Sequence, residues 1–440
     1  MTPPLVSRAF HDQHVVILGG AYAGLSTALN LLRICDGTFK HSLKRDGKGG
    51  LPERHGRGGF RAQSLPPPRA PQNKPRITIL DPRDGFYHAV ETPMAHTSKG
   101  YISKPWRTWD EIPELKKGGV SVVKGTAVRA DPGAKSLLYL STDSEQPQQR
   151  SLDYDYLVVA TGLRRSWPTV PTATNKAEYA TQAARYIDYL QTCNSIVIIG
   201  GGAVGIEMAA EIKHSYPSKD VTLIHSRPSL LSSEPVSIEF RDQVYKVIQS
   251  GGVNVLLSNR VLEVTQDDNS PKTITLQNGP TISADEVIWA TSSAAPITDF
   301  LPTEALDEKG FVKVLPTTQF SSNISNSTSH FAVGDVISTS GIRLAPGAIR
   351  MGKIAATNIA QMLVAKEDSD AGKPSFSIEQ AQAHAKPPKA NLKLVIGAFG
   401  AAYDSKTGDI MCGPEVKQRI FGDDMGLTRA LGALGISSTP

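Results

Sequence analysis

Two stretches of the chain set glycines where a backbone would turn tightly against a ligand. The first runs from Val15 to Leu18 and into Gly19-Gly20-Ala21-Tyr22-Ala23-Gly24. The second runs from Ile196 to Ile199 and into Gly200-Gly201-Gly202-Ala203-Val204-Gly205. Each is a short apolar run, a glycine turn and a helix-like stretch. In the second, Gly200 permits the turn, Gly202 lets the backbone approach a pyrophosphate, and Gly205 lets the helix pack on the strand. The helix N-terminus then offers unpaired N–H groups and a partial positive charge to the phosphates. In the first copy Ala21 stands at the middle position. A methyl group is the smallest intrusion there, so a slightly displaced phosphate is expected rather than none. Two copies predict two dinucleotides in one protein, the equipment for passing a hydride between them.

Such a motif asks for an acid at the end of the next strand, about 20 residues on, to hold ribose hydroxyls. Arg76 to Leu80 is a strand pattern ending in Asp81, which falls at that distance from Gly19 once residues 36–75 are set aside. The second unit has no such acid. Val221 to Ile224 leads into His225-Ser226-Arg227, which suits a 2′-phosphate better than a bare ribose, so NADPH is predicted to be accepted.

The elements that must position these turns can be read from the pattern. Parallel strands buried on both faces read as continuous apolar runs. Tyr156 to Val159 is another, stopped by Thr161-Gly162, and a helix is expected over about Ala177 to Gln191. The second unit repeats the plan, with a meander from Val253 to Leu276 and a closing strand from Val287 to Ser292. Phe331-Ala332-Val333 ends in Gly334-Asp335, and a helix is expected from about Pro346 to Ala365. The predicted architecture is α/β: two Rossmann-like dinucleotide-binding domains, one inserted in the other, plus a small C-terminal α+β unit. The expected boundaries are 13–162 with 293–368 for the first domain, 163–292 for the second, and 385–440 for the last. Residues 36–75, with Gly47-Lys48-Gly49-Gly50 and Pro66-Pro67-Pro68, are expected to be a disordered insert, and 369–389 a polar linker.

Composition narrows the function classes. Of 440 residues 20% are charged, and the net charge of +5 is too small to point to specific nucleic-acid binding. No apolar run reaches the ~20 residues of a membrane helix. The N-terminus lacks a secretory h-region and a myristoylation glycine, which makes the cytosol the expected compartment. Cys35, Cys193 and Cys412 lie far apart, without a Cys-x-x-Cys pair or a metal-spaced cluster, so neither a thiol relay nor a metal site is expected.

Four of these features carry a resemblance: the first glycine motif with Asp81, the strand ending in Thr161-Gly162, the second glycine motif, and Ala332-Val333-Gly334-Asp335. Together they resemble the two-dinucleotide flavoprotein (pyridine nucleotide-disulfide reductase) superfamily. Gly19 to Ser26, Val204 to Glu211 and Asp81 to His88 are most similar to its AIF-like, ferroptosis-suppressor-like branch and fungal relatives. The resemblance implies FAD in the first unit and the nicotinamide nucleotide in the second. It implies an FAD set of Gly19, Gly20, Ala21, Tyr22, Ala23, Gly24, Asp81, Arg83, Val128, Thr161, Gly162, Asp335 and Ala348. It implies an NAD(P)H set of Gly200, Gly202, Gly205, His225 and Arg227. Asp81 would hold the adenosine ribose and Asp335 the ribityl or pyrophosphate part, although an N-cap role for Asp335 stays open. Two departures stand out. Ser292 replaces a common glycine after Ala290-Thr291, and the paired cysteines of the disulfide-reducing branch are absent.

The expected reaction is ping-pong: NAD(P)H gives hydride to the flavin, then a small organic acceptor such as a quinone takes the electrons. Glu207 is the side chain expected to tune the nicotinamide–flavin meeting point, with Arg164 or Arg165 as partner. The alternative is a plain favourable acid near a helix N-terminus. His88 is a candidate proton donor on the flavin side, or else a packed histidine. A pathway-specific flavoenzyme of secondary metabolism and a slow redox-sensing interaction protein stay open as other functions. Leu427 to Leu431 is a short amphipathic piece suited to docking on the body, pairing subunits or touching a membrane surface.

Overall fold

A computed structural model describes residues 13–39, 69–143, 146–267, 271–291, 295–321, 323–339, 342–371 and 391–437. The largest sheet has seven strands. Its centre is the run His14–Leu18, fully buried, flanked by Arg76–Asp81 on one side and Tyr156–Val159 on the other, all parallel. His330–Ala332 extends one edge in parallel. Val120–Asp131 extends the other and then turns into an antiparallel meander with Ser136–Ser141 and Gln148–Asp153. Two helices cover one face, Tyr22–Cys35 and the long Ala345–Asp370. They approach closely because Gly352 has no side chain: a Cβ there would lie 2.3 Å from the carbonyl oxygen of Ala23.

The second sheet has four parallel strands in the order Asn254–Leu256, Asp220–Ile224, Ser195–Ile199 and Glu286–Trp289. An antiparallel meander, Val261–Thr265, Lys272–Leu276 and Ile282–Ala284, packs beside it. The predicted helix before this sheet spans Lys176–Thr192, with the Asn175 side chain accepting the Glu178 amide as its N-cap. The chain enters and leaves this unit along one short antiparallel ladder. There Arg164 N–H donates to the Ala295 carbonyl (2.7 Å) and Ile297 N–H to that of Gly162 (3.1 Å).

The C-terminal unit is a three-stranded antiparallel sheet, Leu392–Ile396, Phe399–Tyr403 and Ile410–Gly413, followed by helices Pro414–Ile420 and Leu427–Leu434. It grips both preceding units. Leu392, Leu394 and Ile396 join the core of the second. Leu427, Leu431 and Leu434 join the core under the first sheet, and Arg33 donates to the carbonyls of Leu434 and Gly435 (2.8 Å each). Of the roles open to that amphipathic piece, docking on the body is the one the structure displays. Among the described residues no helix is long and apolar enough to cross a membrane.

Two expectations about the backbone need correction. The ends of the insert expected over 36–75 are docked, not loose. The Gln72 and Asn73 amides donate to Glu367 (3.0 and 2.8 Å), Arg69 pairs with Asp368 (2.9 Å), and Lys74 pairs with Asp36 (2.6 Å). Residues 40–68 lie outside the described residues, as do 372–390 of the expected linker and Ser292. The long helix also runs on to Asp370, because Asp368 is buried against Arg69.

Candidate functional site

The two glycine turns are near-copies in three dimensions. Gly19 and Gly200 have φ of +97° and +125°, where an L side chain is strained. A Cβ on Gly24 or on Gly205 would lie 1.8 Å from the carbonyl oxygen of Gly19 or Gly200, so strand and helix could not close. The middle position differs. Ala21 and Gly202 share ordinary extended backbone at φ −80° and −82°, and a Cβ on Gly202 would touch only a carboxylate oxygen of Glu234, at 3.5 Å. The fold itself does not require glycine there, which is why Ala21 is accommodated. A further constraint appears at Gly20, where a Cβ would fall 2.4 Å from the indole of Trp109.

The strand ends that close the two turns are also matched. Asp81 accepts the amides of Gly20 (2.6 Å) and Arg83 (2.8 Å). In the second unit His225 stands in that place: its Nδ1 accepts the Gly201 amide (3.1 Å) and its Nε2 faces the Ser232 hydroxyl (2.9 Å). Burial, with the nearby Arg227 charge, lowers the pKa of His225 and keeps it neutral. Arg227 is exposed at the strand end.

A single continuous cleft of about 2170 Å³ runs between the units. That exceeds the roughly 300–1,000 Å³ of an ordinary single-ligand pocket. It is lined by Gly19, Ala21, Tyr22, Ala23, Asp81, Arg83, His88, Thr161, Gly162, Glu207, Asp335 and Ala348 from the sequence-derived set. Gly20 and Gly24 lie behind this wall. Gly200, Gly202, Gly205, His225 and Arg227 also lie outside the lining, so the second motif reaches the cleft through Ala203, Val204 and Glu207.

Val128 does not line the cleft. It is 48% exposed, and Ala127 lines the cleft instead. The strand carries a bulge between Ala127 and Arg129, and one extra residue sends the next side chain to the other face.

Three helices present their N-termini to this cleft: Tyr22–Cys35, Ala203–Ser215 and Ala345–Asp370. None is capped by the side chain of its own N-cap residue or has an acid in its first turn. At Tyr22–Cys35 and Ala345–Asp370 the leading N–H groups and positive dipole ends therefore have no capping side chain, whereas at Ala203–Ser215 the Glu234 carboxylate accepts the Ala203 amide. The lining adds Arg83, Arg165, Arg343, Arg350, Lys353 and Arg429 against the carboxylates Asp81, Glu207 and Asp335. These are the donors that polyanionic dinucleotides need, so the residues present fit FAD and NAD(P)H.

The candidate reactive residues have different partners from those expected. Glu207 accepts the Val395 amide (3.0 Å), and burial pushes its carboxyl up to about 7. Neither expected arginine pairs with it: Arg164 binds Asp299 (2.7 Å), and Arg165 faces Asp335 (3.6 Å). Asp335 sits in a short 3₁₀ turn and caps no helix; burial raises its carboxyl against the pull of Arg165 and Arg343. His88 is 2% exposed, with Nδ1 2.8 Å from the Tyr22 hydroxyl and Nε2 3.3 Å from the Met425 carbonyl. A carbonyl cannot donate, so Nε2 carries the proton and Nδ1 accepts from Tyr22. Burial lowers this histidine to about 4, which leaves it neutral and argues against a ready proton donor. Trp109, Arg343 and the C-terminal wall of Phe421, Met425 and Arg429 were not foreseen, because no sequence motif covers them.

Comparison with known proteins agrees with this geometry. A model of the pyridine nucleotide-disulphide oxidoreductase family matches residues 13–352. "Oxidoreductase OXR1" of Ajellomyces capsulatus is 36% identical over 429 residues, 96% of this chain and 87% of that protein. Human "Ferroptosis suppressor protein 1" is 28% identical over 249 residues, 56% of this chain and 53% of that protein. A ferredoxin reductase from Rhodopseudomonas palustris shares the fold with a TM-score of 0.62 at 14% identity, over 89% of this chain and 82% of that one. With two glycine turns on paired sheets and a family match over most of its length, the chain belongs to the pyridine nucleotide-disulphide oxidoreductase family, as a relative of the AIF and ferroptosis-suppressor proteins.

Proposed function

We propose that the protein is an FAD-dependent oxidoreductase that takes hydride from NAD(P)H and passes the electrons to a quinone-like or other small organic acceptor. The observation that carries this reading is the convergence of three helix N-termini on one cleft large enough for two ligands. FAD would lie on the first turn, with Asp81 toward its ribose and Asp335 toward its ribityl chain. The nicotinamide nucleotide would lie on the second, with Arg227 toward a 2′-phosphate. When bound, the flavin supplies the hydride chemistry. The chain's own work is positioning and electrostatics. The N-terminus of Ala345–Asp370 points positive potential into the cleft, where it stabilises negative charge on a reduced ring. Glu207, held by the Val395 amide, stands at the head of the nucleotide helix with a carboxyl that exchanges its proton near neutral pH. The acceptor would meet walls built by Phe421, Met425 and Arg429.

Three measurements test this: the visible spectrum of the purified protein, its anaerobic reduction by NADPH and NADH in a stopped-flow mixer, and turnover with ubiquinone analogues and other acceptors. Bound flavin, fast bleaching and quinone turnover are expected. Fast bleaching without quinone turnover would favour a pathway-specific organic acceptor. A protein that binds no flavin would end the reading.

A further inference from the structure

Aromatic residues make up only 6% of the sequence, yet many of them are strung in one line. The line begins at Tyr87, which lines the cleft. Its ring centroid is 5.2 Å from that of Tyr179, and Tyr179 stacks on Trp106 at 5.3 Å. Tyr179 is 6.3 Å from His96, His96 4.6 Å from Trp167, Trp167 5.2 Å from Tyr186, and Tyr186 6.4 Å from Tyr189. Every spacing is that of rings in contact. Tyr87, Tyr179, His96 and Tyr186 are buried, whereas Tyr189 is 42% exposed, beside a surface depression that it lines with Trp167 and Tyr186.

The far end has a feature that packing alone does not ask for. The Tyr186 hydroxyl donates to the carboxylate of Glu286 (3.4 Å), and the Tyr189 hydroxyl, which donates to the Asp285 carbonyl (2.9 Å), lies 3.3 Å from the same carboxylate, itself ion-paired with Lys272. A phenol gives up an electron easily only when its proton has somewhere to go, and here a carboxylate is in place. At the near end the Trp106 indole N–H donates to Asp84 (2.8 Å), and an indole gives up an electron without first losing that proton. Electron transfer falls off steeply with the gap between donors, so a path of touching rings carries charge that a single jump to the surface would not.

We propose that this chain of rings is a one-electron path that carries an oxidising equivalent out of the cleft to Tyr189, where solvent reductants discharge it. The oxidant is an oxygen-centred radical of the kind that arises when dioxygen meets an electron-loaded cleft. It takes one electron from Trp106 and a proton from water, and becomes the corresponding hydroxyl compound. The vacancy passes along the tyrosine and tryptophan rings, with the His96 ring a bridge and not a stop because imidazole is harder to oxidise than either, until Tyr189 loses its electron and its phenolic proton moves from the Asp285 carbonyl to the Glu286 carboxylate. A small thiol then gives a hydrogen atom to the Tyr189 oxygen and leaves as a thiyl radical, and Glu286 releases its proton to water. The residues that bind and orient the ligands are thereby spared.

The trigger for a test rests on the FAD reading, since blue light turns a bound flavin into a one-electron oxidant seated in the cleft. Holoenzyme with a verified flavin spectrum is irradiated with a nitroso spin trap, and the adducts are mapped by peptide mass spectrometry. An adduct at Tyr189 is expected. It should be lost in Trp167→Leu, with adducts retreating to Trp106 and Tyr179. Tyr189→Phe, a surface change that keeps the fold, should speed light-driven loss of NAD(P)H oxidation and remove the protection given by added glutathione. An equal Tyr189 adduct in wild type and Trp167→Leu, or unchanged protection in Tyr189→Phe, overturns the proposal alone. A chain with no flavin spectrum sinks the cofactor reading and this proposal with it.

Discussion

His225 holds the amide of Gly201 at 3.1 Å as Asp81 holds that of Gly20 at 2.6 Å. One strand end is thus closed by a carboxylate and its counterpart by a neutral imidazole, with an arginine two positions further on in each case. A carboxylate there accepts ribose hydroxyls and repels a 2′-phosphate; a neutral ring beside Arg227 does neither. Arg227→Ala is therefore expected to raise the KM for NADPH by roughly tenfold or more, the worth of a charge-assisted hydrogen bond, and to leave NADH nearly unchanged. Steady-state kinetics with both nucleotides check this, and an unchanged KM for NADPH refutes it.

Glu207 links pH to stability in a definite direction. Its folded carboxyl is raised from 4.5 to about 7, so the folded state holds the proton more tightly than the unfolded chain. That contribution is full below pH 4.5 and is lost as pH rises through about 7. Glu207→Gln keeps an oxygen for the Val395 amide and should remove this decline. Urea titrations of both proteins at several pH values would show it. If Glu207 also takes part in the reaction, the variant loses the step near pH 7 in its rate profile; an identical profile removes that role.

His88 works with the opposite sign. Its folded value is lowered from 6.5 to about 4, so its contribution is full above pH 6.5 and is lost as pH falls toward 4. Tyr22→Phe deletes the donor to Nδ1 and leaves a buried acceptor unsatisfied, at a cost of roughly 1–3 kcal/mol. Denaturant unfolding at pH 8 measures that loss, and a variant as stable as wild type would show that the pair contributes nothing.

The glycines separate fold from ligand. Gly205→Ala puts a methyl 1.8 Å from a carbonyl oxygen and should cost at least the ~1–3 kcal/mol of ordinary overpacking. Gly202→Ala meets nothing closer than 3.5 Å and should unfold like wild type while binding the nicotinamide nucleotide more weakly. Equal melting of the two variants would contradict this division.

Leu434 is fully buried against the helices beneath the first sheet, where Arg33 holds the end of its helix. Leu434→Ala should destabilise by about 2–5 kcal/mol, as other buried leucines do. Limited proteolysis should then cut first within the C-terminal unit.

The sequence displayed the parts whose chemistry is local. Strand, turn and helix N-terminus lie close together along the chain, so both nucleotide turns and Asp81 could be placed from pattern alone. Relations across long stretches of chain were not legible. Val395 reaches Glu207 across 188 positions and Met425 reaches His88 across 337, and neither contact leaves a trace in spacing. The arginines expected beside Glu207 meet Asp299 and Asp335 instead, carboxylates 135 and 170 positions further along the chain. Val128 faces away from the cleft because a bulge adds one residue to an otherwise regular alternation.

The C-terminal unit touches the candidate reactive residues of both nucleotide units, Glu207 through Val395 and His88 through Met425. In the order of synthesis that unit follows both nucleotide units. The floor of the cleft is laid down near residue 19, whereas one wall arrives only with Phe421 to Arg429. A chain cut short ahead of Phe421 would keep both glycine turns but lack that wall, together with the Leu427, Leu431 and Leu434 side chains that pack under the first sheet.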